Sequence, residues 1–312
     1  MPKMYKLVTD YDPGIAVETK EWDLPSDDKR ILKCLILDIV GQRNGVADPT
    51  RQVVASQLDE IKVGVAANPE VSRILGEDLY NNNVLLGNRP IFDGGGADNS
   101  RVSLGMVLPL DPFMMSPQID YHQPYGMPGG IASQLSVKFD ADDAAFDGKK
   151  LTVGVISSLI SDLGGFSKLQ GYMSYTRHSD TMAVGTEKSY AIPQPGKLLG
   201  VQFFETTSFA DIIADGEYRS TQSIQEASIT RGENVTHGAL PTTTFGIMNG
   251  ADVTELTDQG YSLWNLGIHN KVGSLGIPDK GRIPSNLKVK VLGGVADAVR
   301  IVPITLNDKL TV

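Results

Sequence analysis

Trp22-Asp-Leu-Pro-Ser-Asp-Asp-Lys29 and Tyr190-Ala-Ile-Pro-Gln-Pro-Gly-Lys197 are two copies of one pattern, 168 residues apart. Each copy has an aromatic residue, any residue, Leu or Ile, Pro, any three residues and Lys, and an apolar run follows it. We interpret the copies as structural turns that set the second strand of each half, since proline fixes the backbone bend. The residues that carry the pattern are Trp22, Leu24, Pro25 and Lys29 in the first copy, and Tyr190, Ile192, Pro193 and Lys197 in the second.

A second pair of matching segments follows in the same order. The segment from Ile131 to Phe139 matches that from Ile283 to Val291, with identical residues at five of nine positions. A strand-like segment then closes each half, at 151–156 and at 299–304. Turn-plus-strand segments look alike in many β proteins, which is the alternative explanation. Two matches in one order nevertheless favour an internal duplication.

The composition and the hydropathy pattern favour an all-β chain. Gly contributes 33 and Pro 17 of 312 residues, and both weaken helix interiors. Apolar residues alternate with other residues at 61–65, 135–139, 151–155 and 287–291, which is the period of a half-buried strand. We therefore predict two tandem eight-stranded jelly-roll β-sandwiches, a double jelly roll, with a few short helices at 70–86, 157–169 and 208–214. The expected boundaries are 1–157 for the first jelly roll, 158–170 for a linker and 171–312 for the second.

Charge and cysteine content exclude several classes of protein. The chain has 28 Lys and Arg against 37 Asp and Glu, a net charge of −9, and neither end carries a basic arm. Direct nucleic-acid binding is not expected, because neutralising phosphates requires clustered cations. Cys34, the one cysteine, cannot form an internal disulfide, and its apolar neighbours predict a buried thiol. The N-terminus lacks a signal-peptide pattern, so we expect synthesis in the cytoplasm.

A search for catalytic and metal-binding patterns predicts no enzyme, no catalytic residue and no cofactor. Neither a phosphate-binding loop nor a Gly-x-Ser-x-Gly elbow is present, and the four histidines lack metal-ligand spacing. His178-Ser179-Asp180 contains triad residue types, but neighbours on a strand point to opposite faces. One acidic loop offers a weak calcium candidate, with a solvated acidic turn as the alternative. Its carboxylates are Asp140, Asp142, Asp143 and Asp147.

Taken together, the chain resembles the double jelly-roll major capsid proteins of tailless icosahedral viruses with an internal membrane, such as tectivirus-like and corticovirus-like phages. The resemblance rests on the repeat order, the chain length and the closing segments 287–291 and 299–305. It implies homotrimers of pseudo-hexagonal outline that tile a shell in the virion. The implied partners are neighbouring capsomers, minor capsid or vertex proteins and internal-membrane lipids, which Lys3 and Lys6 could meet, but not nucleic acid.

Two other functions stay open at this stage. A tandem β-sandwich could be a carbohydrate-binding adhesin, such as a phage spike, that uses loop aromatic residues. A two-domain metalloenzyme of the bicupin type is disfavoured, because it needs clustered histidine and glutamate ligands. The aromatic candidates for the adhesin are Trp22, Tyr125, Tyr190 and Trp264.

Overall fold

The computed structural model divides the chain into two compact units, one up to Ser174 and one from Tyr175 to Asn307. No helix among the described residues is long and apolar enough to span a membrane. The described residues are 2–45, 49–65, 68–87, 90–115, 122–131, 133–165, 169–183, 185–192, 197–205, 224–231, 234–241, 261–266, 287–293 and 297–307.

The first unit contains two antiparallel sheets and two short helices. Its strands are β1 (Lys3–Tyr11), β2 (Glu18–Asp23), β3 (Arg30–Arg43), β4 (Leu58–Val65), β5 (Asn68–Ile74), β6 (Ile91–Asp93), β7 (Arg101–Pro109), β8 (Met127–Pro128), β9 (Ser133–Phe139) and β10 (Phe146–Leu159). Its helices are α1 (Arg51–Ser56) and α2 (Gly76–Leu85), with 3-10 turns at Pro112–Met115 and Ser161–Leu163. One sheet has the order β1-β10-β3-β7-β6, with β8 also paired to β3, and the other has the order β2-β9-β4-β5.

The second unit also contains two antiparallel sheets. Strand β11 (Tyr172–Tyr175) spans the boundary between the units. The strands that follow are β12 (His178–Met182), β13 (Glu187–Ala191), β14 (Lys197–Glu205), β15 (Ile224–Arg231), β16 (Asn234–Pro241), β17 (Tyr261–Asn265), β18 (Leu287–Gly293) and β19 (Asp297–Asn307). They form the orders β12-β19-β14-β17 and β13-β18-β15-β16.

The two units repeat one topology. Within the described residues, β12 to β19 take the places that β1, β2, β3, β4, β5, β7, β9 and β10 take in the first unit. Each unit thus has two four-stranded sheets in the same strand order, and the first adds the short strands β6 and β8. In each unit the last strand lies between the first and third strands. Eight strands in two facing sheets form the jelly-roll arrangement.

The core of each unit follows from the strand patterns. On β9, Leu135, Val137 and Phe139 are fully buried, whereas the two residues between them are half-buried. The central strand β3 is buried on both faces from Ile31 to Leu35, and Cys34 lies within that stretch as predicted. Burial, with the nearby Asp111 charge, raises the pKa of the Cys34 thiol to about 12, so this thiol is a packing group. In the second unit, β14 is equally buried.

A buried asparagine joins α2 to the sheet. The Asn83 side chain accepts from the backbone N–H of Val107 and donates to the Val107 carbonyl, both at 2.9 Å. A neighbouring strand would make the same two hydrogen bonds. Strand β6 pairs only with residues 103–105 of β7. Asn83 therefore supplies the hydrogen-bond partners that the backbone of Val107 lacks just beyond β6.

The predicted helices are only partly correct. Residues Asn68–Ile74 form β5, which pairs with β4, so the helix expected from Glu70 begins only at Gly76. The helix expected from Ser157 is a strand up to Leu159, because β10 continues along β3 to Arg30. A 3-10 turn follows and ends at two glycines with positive φ, Gly164 and Gly165. The helix expected at 208–214 lies outside the described residues.

The segment proposed as a linker packs on the first unit where it is described. Ile160, Leu163 and Leu169 form a buried cluster with Ile31. The described part of 158–170 therefore belongs to the first unit, which extends to Ser174.

We expect Gly41→Ala to destabilise the first unit by about 1–3 kcal/mol, since a Cβ at Gly41 would lie 2.6 Å from the Asp147 carbonyl oxygen and the Phe146 ring. Phe146 is fully buried and cannot move aside. Gly105→Ala on β7 is the matched control, because its nearest neighbour would be 3.9 Å away. Denaturant unfolding of both variants checks this. Equal stabilities for the two variants would contradict it.

Candidate functional site

The first copy of the repeated pattern forms the connection from β2 to β3. Trp22 packs edge-on against Tyr11, with ring centroids 5.3 Å apart. Leu24 is buried, and its backbone N–H donates to the Ser133 carbonyl at 2.8 Å. Pro25 is half-buried, and the Lys29 side chain is exposed. The apolar members of the pattern therefore close one end of the sandwich, while the lysine faces solvent.

The second copy forms the connection from β13 to β14. Tyr190 and Ile192 are buried, and Lys197 is half-buried at the start of β14. The Tyr190 hydroxyl donates to Asp180 Oδ2 at 3.3 Å. Pro193 lies outside the described residues. Each copy thus precedes the third strand of its unit, not the second as predicted, because an edge strand of the opposite sheet comes before it.

A β-bulge lies near the start of the third strand of the first unit. Leu32 pairs with Ser157 and Cys34 pairs with Ile156, so that Lys33 is the additional residue on β3. The Lys33 carbonyl oxygen accepts from the backbone N–H groups of the two residues that follow β7, at 2.8 and 3.0 Å. The bulge therefore fixes where β7 leaves the sheet.

The second unit has a bulge at the corresponding place. Leu198 pairs with Thr305 and Gly200 pairs with Ile304, so that Leu199 is the additional residue on β14. The Leu199 carbonyl accepts from the N–H of Leu266, the residue that follows β17, at 2.9 Å. Ile156 and Ile304 end the two closing segments matched in the sequence, so these bulges support the repeat at the level of single residues.

The side chains at the two bulges differ in polarity. Lys33 is fully buried, and its Nζ lies 2.8 Å from Asp111 Oδ2, whose side chain is also fully buried. Nζ further donates to the carbonyl oxygens of Gln123 and Tyr125, the latter at 2.7 Å. Asp111 Oδ1 accepts from the Phe113 N–H at 2.9 Å. An ammonium group has three N–H bonds, and three oxygens accept them here.

This ion pair holds a loop against the strand that leads out of the first unit. The loop carbonyl of Pro124 accepts from the Gln170 N–H at 2.7 Å, and the Gly126 N–H donates to the Gly171 carbonyl at 2.8 Å. The sequence search had no signal for this arrangement, because Lys33 stands alone in an apolar run and Asp111 lies 78 residues later. A single charged residue inside such a run is the one signal that could have pointed to it.

We expect Lys33→Leu to destabilise the first unit by about 3–5 kcal/mol, because it leaves the buried Asp111 carboxylate unpaired. Leucine is the residue at the corresponding bulge, Leu199. The double variant Lys33→Leu with Asp111→Asn removes the unpaired carboxylate charge and keeps an oxygen that accepts from the Phe113 N–H. It should therefore recover part of the lost free energy of unfolding. Thermal and denaturant unfolding measure both. A double variant less stable than the single one would contradict this account.

Three carboxylates of the acidic loop 140–147 accept hydrogen bonds from donors close to them in the chain. Asp142 Oδ1 lies 2.5 Å from Nζ of the buried Lys149. Oδ1 of Asp140 and Oδ1 of Asp143 each accept from backbone N–H groups of the loop at 2.8 Å. Asp147 is half-buried and lies opposite Gln42 on β3. Across the described residues, no group of three His, Cys, Asp or Glu side chains is arranged to hold a metal ion.

His178 and Asp180 lie on one face of β12 but have separate partners. His178 Nε2 lies 3.1 Å from the Ala191 carbonyl, and the His178 ring packs against the Tyr190 ring. Asp180 Oδ1 accepts from Lys188 Nζ at 2.6 Å, which holds the pKa of Asp180 below its usual value. Burial lowers the pKa of His178. These contacts join β12 to β13 and are structural.

We expect the second unit to lose stability as the pH falls below about 6.5, the ordinary pKa of an unfolded histidine. The folded state holds His178 neutral, so the unfolded state binds more protons between that value and the lowered folded pKa. Stability is therefore complete above this interval and falls through it as the pH decreases. Unfolding midpoints of the parent and of His178→Gln, between pH 7.5 and 5, measure the effect. Identical profiles would contradict it.

A groove of about 750 Å³ lies on the outer face of the sheet β2-β9-β4-β5. Most of the described residues that line it have polar or charged side chains, and none of them is aromatic. Lys62 in the groove is paired with Glu60 at 2.8 Å and with Glu70 at 3.2 Å. Sugar sites usually include an aromatic ring for stacking, so this groove lacks the expected feature of a glycan site. Its main polar residues are Glu21, Asp23, Lys62, Glu70, Gln134 and Ser136.

The aromatic residues considered for an adhesin are packing residues. Trp264 and Tyr190 are buried. Trp22 contacts Tyr11, and Tyr125 packs against Phe113 with ring centroids 5.3 Å apart. Trp22 and Tyr125 are half-buried, so each of the four rings packs against the protein over at least part of its surface.

Comparisons with known proteins identify the fold through structural similarity rather than through sequence. No protein-family model matches the sequence, and no curated protein matches it in sequence. Several solved structures match almost the whole chain at low identity. The major capsid protein P2 of bacteriophage PM2 has 13% identity and a TM-score of 0.60, covering 99% of this chain and 98% of its own. The major capsid protein of Sulfolobus turreted icosahedral virus has 11% identity and a TM-score of 0.65, with coverage of 98% and 97%.

The Faustovirus major capsid protein has 7% identity and a TM-score of 0.54, covering 100% of this chain and 90% of its own. Alignment over the whole length means that both units match, and in the same order. The predicted fold class is therefore confirmed: the chain is an all-β protein with the double jelly-roll fold that these capsid proteins have.

Proposed function

We propose that this chain is the major capsid protein of an icosahedral virus and assembles through pseudo-hexagonal homotrimers. The observation that carries the proposal is one topology repeated twice along one chain. Three such chains around a three-fold axis present six similar units, which suits a lattice in which each block has six neighbours. Full-length similarity to capsid proteins of three different viruses supports this role.

The chemistry of the described residues supports a structural role rather than an enzymatic one. The buried ionisable groups hold loops and strands: Lys33 and Asp111 hold one loop, and Lys149 pairs with Asp142. The acidic net charge of −9 argues that the shell does not contact the genome directly. We infer a virion location, with neighbouring capsomers, minor capsid or vertex proteins and internal-membrane lipids as the further partners.

We expect the purified protein to form trimers of about 100 kDa, three chains of 33.6 kDa, with a pseudo-hexagonal outline. Native mass spectrometry and negative-stain imaging measure the mass and the outline together. Closed shells would support the proposal equally. A monomer that persists at tens of micromolar would contradict it, and glycan binding would then be the next measurement.

A further inference from the structure

The two sheets of the first unit differ in the side chains that they turn away from the core. On the sheet β2-β9-β4-β5, one row of outward residues crosses the strands: Glu21, Ser136, Lys62 and Arg73. All four are polar, as expected for a sheet face that meets water. On the sheet β1-β10-β3-β7-β6, six outward residues are apolar. This outer apolar face consists of Met4, Ile36, Val40, Ile91, Val107 and Ile156.

The centre of the outer apolar face is a continuous surface. Ile36 lies between Val107 on one neighbouring strand and Gly154 on the other. A Cβ at Gly154 would lie 2.9 Å from the Met4 methyl group and 3.7 Å from the Ile36 Cβ, so these two side chains flank this glycine. Met4 also lies opposite Ile156 and is 63% exposed. A continuous apolar surface that a single copy leaves open to solvent is typical of an interface between proteins.

This side of the sheet is large enough for a stable contact. Five strands about 4.8 Å apart, with β3 extending over 14 residues at about 3.3 Å each, span on the order of 1,000 Å². A specific interface buries about 800 Å² on each partner. Exposed polar residues at one end, Gln42, Arg101 and Lys150, resemble the polar rim of an interface. Asp38 lies on the same side, with the Arg101 charge nearby.

The second unit has a counterpart of this face, which the strand register defines residue by residue. The two bulge residues, Lys33 and Leu199, set the alignment, so Ile36 corresponds to Gln202. The partners of these residues on the neighbouring strands then correspond in the same way. The further matches are Val107 with Leu263, Gly154 with Val302 and Ile156 with Ile304.

Equivalent positions of the two units differ in burial. Gln202, Leu263, Val302 and Ile304 are each at most 1% exposed. Their counterparts Ile36, Val107 and Ile156 are only half-buried. A single copy therefore buries this face in one of its two units. In a ring of six similar units, equivalent faces have similar surroundings, so a neighbouring copy is needed to cover the face that remains open.

We propose that the outer apolar face of the first unit is the surface on which the second unit of the next copy packs. First and second units alternate around the three-fold axis of the proposed trimer, so each first unit has a second unit of another copy beside it. The contact joins unlike surfaces, as a closed cyclic trimer requires. This inference rests on the proposed trimeric function and names the surface that joins the copies.

Photo-cross-linking tests both partners of the contact. Benzoylphenylalanine in place of Met4 should give covalent dimers and trimers on irradiation, seen by denaturing gel electrophoresis. Mass spectrometry of the dimer band should find the cross-linked peptide within residues 175–307 of the other copy. Benzoylphenylalanine in place of Glu21 is the control, since Glu21 is exposed on the polar sheet face, and it should give no covalent dimer. Cross-linked peptides from residues 1–174 of the other copy would overturn the proposal.

A charge placed on the outer apolar face tests the same contact in a second way. Ile36→Lys should lower the trimer fraction at least tenfold at limiting concentration, because the contact would bury an unpaired ammonium group. Ser136→Lys is the matched control, since Ser136 is also half-buried and lies on the outward row of the other sheet. Equal trimer fractions for the two variants would overturn the proposal. If Ile36→Lys does not fold, the cross-linking result decides, because it leaves Ile36 in place.

Failure of this inference differs from failure of the proposed function. If the parent forms trimers but the probe at Met4 gives no cross-link between copies, the trimer uses another surface and the capsid proposal stands. If the parent stays monomeric in native mass spectrometry, both proposals fall together.

Discussion

The pairing of the third strand of each unit with the last one is the constraint on which the other features of the fold depend. Leu37 lies opposite Val153, and Val201 lies opposite Pro303, so each pair joins segments about a hundred residues apart. Such long-range closure costs chain entropy, which only extensive burial can offset. Strands β3 and β14 provide that burial, because residues 31–35 of β3 and 198–205 of β14 are buried on both faces. This pairing also places a bulge at the same point of each unit.

The two bulges show how one backbone arrangement accommodates different side chains. Leu199 completes an apolar site, whereas Lys33 requires a carboxylate and two carbonyls brought from elsewhere in the unit. A buried ion pair rarely stabilises a protein more than well-packed apolar residues do. Its main effect here is therefore on position, because the three acceptors of Lys33 fix one arrangement of the 122–131 loop. That loop in turn is hydrogen-bonded to residues 170 and 171, so the position of this segment within the first unit depends on Lys33.

Sequence patterns predicted the strands and the repeat well, but not the register. In the first unit Trp22 lies opposite Leu135, so the two sequence matches would place Tyr190 opposite Leu287 in the second unit. In the structure Tyr190 lies opposite Val289, a shift of two residues. A shift of two residues keeps every side chain on the same face of the sheet. The alternation of apolar and polar residues in the sequence therefore cannot reveal it. The helix expected from Glu70 was misplaced for a related reason, because pairing with β4 decides the conformation of 68–74 and that pairing is not local. The Lys33 site has one local signal, a lone charge in an apolar run, but its partner Asp111 lies 78 residues away and cannot be read from it.

Net charge constrains how copies of this chain can associate. Each copy carries −9, so copies repel one another at distances beyond direct contact. At physiological ionic strength this repulsion is screened within about 8 Å. Short-range contacts therefore decide assembly, and an exposed ion pair alone contributes little. Association of copies must therefore come from apolar surface buried at short range rather than from attraction between net charges.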